Sequence, residues 1–134
     1  MLNIIILAAG KGSRMKSKKT KILHQIAGKP IINYVVNEVK QCGNHSLYMV
    51  IGHQGDDVKA NFSNDPSIQF IEQIEQKGTG HAVQVTVPSI RQKEQSSTLI
   101  LAGDIPLITA KTLNQLIDVH HQKKSKATVL TAKI

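Results

Sequence analysis

Residues 4–21 read IIILAAGKGSRMKSKKTK, and the interpretation of the rest of the chain turns on them. The aliphatic run Ile4–Leu7 suits a strand buried on both faces, as in a parallel sheet covered by helices. Ala8, Ala9, Gly10 and Gly12 then strip side-chain bulk from the backbone where that strand ends. Main-chain N–H groups can approach a ligand closely there, and glycine permits positive φ. Lys11, Arg14, Lys16, Lys18, Lys19 and Lys21 surround the opening with positive charge. A bare backbone inside a cationic fringe is suited to a polyphosphate.

Two other phosphate loops are excluded by their spacing. No stretch fits the Walker A pattern G-x-x-x-x-G-K-[ST]. The dinucleotide fingerprint G-x-G-x-x-G begins at Gly10 and Gly12 but meets Met15 at its third glycine. Its ribose-binding acid would fall near Glu38, inside an amphipathic helix instead of at a strand end.

The composition narrows the class further. A chain of 134 residues with 40% hydrophobic side chains supports one domain with a real core. No Trp is present and aromatics make up 3%, so the core is expected to be aliphatic, and base-stacking platforms for single strands are disfavoured. With 17 basic against 9 acidic side chains the formal charge is +8, which favours anionic partners. The single cysteine, Cys42, excludes an internal disulfide framework and fits a reducing compartment. It reads as a small buried hydrophobe, not as a nucleophile. No apolar run approaches the ~18 residues of a membrane span, and no signal peptide is legible at the N-terminus. A cytoplasmic location without membrane association is expected.

Strand and helix signals alternate along the chain, the pattern of an α/β domain with a mostly parallel, Rossmann-like sheet flanked by helices. Gly28-Lys29-Pro30 is expected to open a helix with Pro30 in its first turn. Ile32, Val35, Val36 and Val39 form its buried stripe, and Gly43 stops it. A strand is expected over Leu47–Ile51, a turn at Gly52-His53-Gln54-Gly55 and a short helix over Asp56–Phe62. A third strand follows at Ile68–Glu72. Thr79 is expected to cap a helix from about Gly80 to Ile90. Thr98–Ala102 reads as a fourth strand, and Thr109 as the cap of a helix with the stripe Leu113, Leu116, Ile117 and His120. A fifth strand is expected to begin near Ala127. Ending on a strand without following cover suggests a truncated domain. In such sheets ligands bind beyond the carboxyl ends of the strands. The loop at Gly10, the segment Gln73–Thr79 and Gly103-Asp104 should therefore meet on one rim.

Four stretches carry a family resemblance: LAAGKGSRM (7–15), KILHQIAGKP (21–30), EQKGTGHAV (75–83) and GDIPLI (103–108). Together they resemble the uridyltransferase domain of the bacterial bifunctional N-acetylglucosamine-1-phosphate uridyltransferase and glucosamine-1-phosphate acetyltransferase family. The first motif alone implies only a nucleotide-diphospho-sugar transferase fold; the GTGHA segment with its preceding glutamines is narrower. The resemblance implies that residues 1–134 are the N-terminal portion of that domain. The family domain continues past Ile134 to further sugar-gripping loops and a metal-binding asparagine. By the same resemblance the acetyltransferase β-helix, through which the family forms homotrimers, is expected to be absent from residues 1–134. The implied reaction joins UTP and N-acetylglucosamine 1-phosphate into UDP-N-acetylglucosamine and pyrophosphate, a step of peptidoglycan and lipopolysaccharide precursor synthesis.

By that resemblance Leu7, Ala8, Ala9 and Gly10 line the UTP site, and Lys21 contacts phosphate. Gln73 reads uracil, with Gly78 and Thr79 completing the nucleoside pocket. Ala102, Gly103 and Asp104 form the sugar and metal segment, with Asp104 the Mg²⁺ ligand. Thr20 stands where the family usually places proline. Lys11 and Arg14 are assigned to the outer phosphates, Arg14 because a guanidinium can clamp phosphate bidentately. Arg14 and Lys21 are the expected catalytic cations. The Gln73 amide could donate to uracil O4 and accept from N3–H. Lys16, Lys18 and Lys19 read as solvated. The histidines have no metal-ligand spacing, and His24, His53 and His81 are expected to serve packing or loop roles. Three alternatives stand beside this reading. One is a cytidylyl- or guanylyltransferase of the same fold; another is a UTP-binding module without turnover. The third is a nucleic-acid binder driven by the +8 charge.

Overall fold

In the computed structural model the described residues are 1–10, 20–52, 55–90 and 93–133. The N-terminal aliphatic run forms β1 (Leu2–Ala8). It pairs in parallel with β4 (His45–Gly52) on one side and with β6 (Ser97–Ala102) on the other. Beyond β4 lies β5 (Ile68–Gln73), also parallel, so the four-stranded sheet has the order β5-β4-β1-β6. Interior strands need apolar side chains on both faces, and Ile4, Ile5 and Ile6 are fully buried.

The pleat sends those isoleucines to two cores. Ile4 and Ile6 join Leu47, Met49, Ile51, Leu99 and Leu101 beneath α1 (Ile31–Val39), α2 (Asp56–Asn61) and α4 (Ala110–Gln122). Ile5 joins Tyr48 and Val50 on the opposite face, covered by Ala82 of α3 (Thr79–Thr86). The expected stripe of α1 is intact: Ile32, Val35, Val36 and Val39 are all buried. Cys42 is buried too, and burial, then the nearby Glu38 carboxylate, pushes its thiol pKa up, as suits a packing residue.

Three expectations are corrected. Gly28-Lys29-Pro30 does not open α1 directly. Gln25–Ile26 (β2) and Lys29–Pro30 (β3) pair as a small antiparallel hairpin, and the helix starts one residue after Pro30. Its two-residue turn takes positive φ at Ala27 (50°) and Gly28 (79°), the geometry that suits strand twist. Tyr34 of α1 secures the hairpin by donating its hydroxyl to the Ile26 carbonyl at 2.6 Å.

Second, the helix expected from Gly80 to Ile90 starts at Thr79 and ends at Thr86, and Val87–Ser89 tighten into a 3-10 turn. Pro88 has no N–H to continue the α-helical ladder and disfavours helical geometry before it. Gly78 holds the cap position with φ 99° and no side-chain cap bond, so Thr79 is not the cap. Third, residues 127–133 form no strand. Ala127, Thr128, Val129 and Leu130 instead line a groove with β6 and α4, where the Thr128 hydroxyl meets His120 Nδ1 at 2.9 Å. A strand exists only through a ladder partner, and this segment has the groove beside β6 and the Thr128–His120 contact instead.

The start of α4 is held twice. Thr109 accepts from the Thr112 N–H at 3.2 Å, as its position suggests. Glu38 of α1 accepts the Ala110 N–H at 2.7 Å, which ties the two helices together.

A second tether joins α1's end to the turn before β5, where Lys40 pairs with Asp65. Burial pushes the Asp65 carboxyl pKa up, but hydrogen bonds from Lys40 and Ser67 outweigh it and hold the carboxyl below the ordinary aspartate value. A depressed carboxylate contributes stability above its unfolded pKa and loses it as the pH falls through the folded one. Asp65→Asn should therefore be less stable than wild type at neutral pH, by no more than about 1 kcal/mol. The gap should close on acidification below about pH 4, where the unfolded aspartate protonates. Urea unfolding at several pH values measures this.

Candidate functional site

The sheet order creates the site. From β1 the chain moves to β4 and β5 on one side and returns to β6 on the other. The carboxyl ends of β1 and β6 therefore flank a topological switch point, where open α/β sheets bind ligands. A cleft of about 550 Å³ opens there. Leu7, Ala8, Ala9 and Gly10 line it from the end of β1, and Ala102 and Asp104 from the end of β6. Gln73 comes from the end of β5; Gly78, Thr79 and Ala82 come from the start of α3, and Lys21 and Ile22 from the short turn that starts at Lys21. Ten of the residues singled out from the sequence thus share one cavity, although they come from four separate stretches.

Two singled-out cations, Lys11 and Arg14, lie outside the described residues, as do Lys16, Lys18, Lys19 and His53. Gly103 is brought to the site but does not line the cleft. Its N–H donates to the Leu7 carbonyl at 2.9 Å, extending the β1–β6 ladder by one bond. A Cβ there would stand 2.7 Å from Ile32 Cδ1 and 3.2 Å from the Leu7 oxygen, so glycine lets β6 turn against β1 and present Asp104.

Lys21 is positioned by its neighbours. Residues Lys21–Leu23 form a 3-10 turn with Ile22 and Leu23 buried beneath it, leaving the lysine at the cleft. Thr20, at the family's proline position, has φ −55°, within proline's own range. The Lys21 ammonium lies 3.0 Å from the Asp104 carboxylate, a contact across 83 residues of sequence, with both side chains partly exposed.

Gln73 is buried, and its Nε2 donates to the Gly78 carbonyl at 3.1 Å and meets His81 Nδ1 at 2.9 Å. The nitrogen expected to donate to uracil O4 is therefore engaged within the protein. His81, expected to fill a packing role, is hydrogen-bonded to the candidate base-reading residue. Gln76 also lines the cleft and was not singled out. Its Nε2 fills the space where a Cβ of Gly52 would stand, and Gly52 follows the apolar run of β4. Its place in the polar segment between Gln73 and Thr79 was the available signal.

Among the described residues no group of three His, Cys, Asp or Glu side chains could hold a metal. Among the described residues Asp104 is the only carboxylate lining the cleft. A single carboxylate beside an open cavity suits a hard divalent ion that retains water and takes phosphate oxygens as further ligands. The Lys21 ammonium already shows that a cation is accommodated against this carboxylate. Among the described residues no helix is long and apolar enough to cross a membrane.

A parallel sheet of this order with a nucleotide-sized, glycine-edged cleft at its switch point is the arrangement expected of a nucleotidyltransferase domain. The chain belongs to the MobA-like NTP transferase domain family, whose model matches residues 4–133. It is homologous to the bifunctional protein GlmU, as the four motifs implied. It is 48% identical to GlmU of Staphylococcus epidermidis over 128 residues, covering 96% of this chain and 28% of the relative. With GlmU of Thermosynechococcus vestitus identity is 40% over 134 residues, covering 100% and 30%. The chain thus spans less than a third of the curated relatives it matches. A crystal structure of Rv0371C from Mycobacterium tuberculosis in complex with manganese shares the fold, with TM-score 0.67 and 19% identity. That alignment covers 88% of this chain and 58% of the other.

The close approach at Gly103 gives a test. Gly103→Ala forces Ile32 or β1 to move, at a cost of about 1–3 kcal/mol for overpacking. Guanidinium unfolding should show a lower midpoint with an unchanged slope. A variant as stable as wild type would mean that the approach is not tight.

Proposed function

We propose that the chain is the N-terminal portion of a uridyltransferase domain and catalyses Mg²⁺-dependent transfer of uridylyl from UTP to N-acetylglucosamine 1-phosphate. The observation that carries the proposal is the convergence of Leu7–Gly10, Lys21, Gln73, Gly78, Thr79 and Asp104 on one cleft at the switch point. The similarity to GlmU over nearly the whole chain directs the choice of nucleotide and sugar.

In this reaction a phosphate oxygen of the sugar phosphate attacks the α-phosphorus of UTP. The bond from that phosphorus to the bridging oxygen breaks, and pyrophosphate leaves with the electron pair. The nucleophile is already anionic, so no general base is required. The demand is to bring two anions together and to stabilise the leaving group, which positioning and fixed positive charge achieve. Main-chain groups of Leu7–Gly10 hold the nucleotide against the end of β1. Lys21 neutralises the α-phosphate or the incoming phosphate, and Arg14 and Lys11 are assigned to the outer phosphates. Gln73, Gly78 and Thr79 take the base and ribose, and Asp104 would hold the metal. When bound, Mg²⁺ supplies charge neutralisation along the triphosphate.

The test is pyrophosphate release from UTP and N-acetylglucosamine 1-phosphate with Mg²⁺. Release should fall on the order of 10²–10³ in Asp104→Ala, and comparably in Lys21→Ala, by analogy with loss of one transition-state contact. UTP binding without release would instead identify a binding module. Stronger protection from unfolding by CTP or GTP than by UTP would move the chain to another transferase of the same fold.

A further inference from the structure

We propose that His81 is a positioning residue for base selection: it occupies one amide hydrogen of Gln73, so that Gln73 offers the nucleobase an acceptor only. The inference rests on the uridyl-transfer reading and adds to it a residue that does not line the cleft.

The argument begins with the Gly78 carbonyl. It can only accept, and it lies 3.1 Å from one terminal atom of the Gln73 side chain, so that atom is the nitrogen. The same nitrogen stands 2.9 Å from His81 Nδ1. Nδ1 must then accept, which places the ring proton on Nε2. Both hydrogens of the amide are thereby committed, one to the backbone and one to the imidazole. Gln73 lines the cleft, and its only remaining hydrogen-bonding atom is Oε1.

The arrangement is held rigidly. Gln73 is only 2% exposed at the end of β5. Gly78, with φ 99°, sets the start of α3, and its carbonyl also accepts from the Ala82 N–H at 3.1 Å. His81 lies in the first turn of that helix, where the backbone fixes its distance from Gly78.

In this proposal Oε1 stands opposite ring position 3, and not opposite position 4, where the exocyclic amine of cytosine could donate to it; at position 3 an acceptor distinguishes the pyrimidines. Uracil carries a ring N3–H, which can donate to Oε1. Cytosine carries an unprotonated N3, which would place acceptor against acceptor. Without His81 the amide loses one of the two contacts that fix its orientation, and a flip that exchanges Nε2 and Oε1 would present an N–H to cytosine N3. His81 thus excludes cytosine through Gln73 without touching the nucleotide.

The experiment measures UTP and CTP binding to the full chain with Mg²⁺ by calorimetric titration, in wild type, His81→Leu and His81→Asn. Asn keeps an acceptor, Oδ1, at the branch point of Nδ1, whereas Leu keeps bulk alone. The UTP-over-CTP preference should fall by about tenfold in the Leu variant, the scale of one buried hydrogen bond, and should return in the Asn variant. An unchanged preference in the Leu variant, or an Asn variant no better than Leu, overturns the inference while leaving the uridyl reading intact. A wild type that binds no UTP overturns both. Nitrogen-15 spectra of the wild-type imidazole give a check that needs no variant to fold: protonation at Nε2 is expected, and an Nδ1–H tautomer overturns the proposal.

Discussion

Everything in this protein is built against β1. Its main chain is laddered in parallel on both sides, to β4 and to β6, and its side chains enter the cores on both faces of the sheet. A strand so constrained cannot shift by one residue without sending Ile4 and Ile6 to the face of α3 and Ile5 to that of α1. The same constraint fixes where the strand stops. Ala8 is still paired with Ile51, and Gly10, where a Cβ would meet no neighbouring atom, opens into the cleft. The register of a hydrophobic strand thereby sets the position of a polar site.

The remaining walls are held by less regular means. Gly103 brings β6 close enough to β1 that the next residue, Asp104, reaches the cavity. Lys21 owes its place to Ile22 and Leu23, which sink into the core directly after it. Gln73 is fixed by the carbonyl of Gly78 and the imidazole of His81. Of these candidate site residues, Lys21 and Asp104 each follow or precede a buried or closely packed neighbour, and Gln73 is itself buried. This is how a small aliphatic fold can aim polar groups without long supporting loops.

Much of this was legible in the residues. The strands Ile4–Leu7, Leu47–Ile51 and Thr98–Ala102 are aliphatic runs bounded by small or polar residues, and each lies within an observed strand. The stripe of α1 followed from its 3.6-residue period. The convergence of the site followed from the rule that parallel strands present their carboxyl ends to one rim. What escaped reading depended on contacts between distant residues or on unusual backbone angles. The β2–β3 hairpin needs positive φ at Ala27, a residue type that rarely signals it. The supposed strand near Ala127 had the apolar pattern of one, but a pattern cannot report whether a ladder partner is in reach. The Gln73–His81 hydrogen bond spans a loop and the first turn of a helix, and no spacing rule encodes it. Glu38 was weighed only as a failed ribose ligand, yet it closes the start of a helix 72 residues away.

The ion pair between Lys21 and Asp104 shapes how the cavity meets its guests. While the two charges satisfy each other, the rim presents little net field along that line. A solitary divalent ion must evict the ammonium, and a solitary phosphate must draw it off the carboxylate, so each alone works against an existing attraction. A metal–triphosphate complex brings a counter-charge for both halves at once, and the exchange then leaves neither group stranded. On the proposed reading, such a rim would discriminate by the composition of its visitor, admitting the paired species more readily than its separate parts.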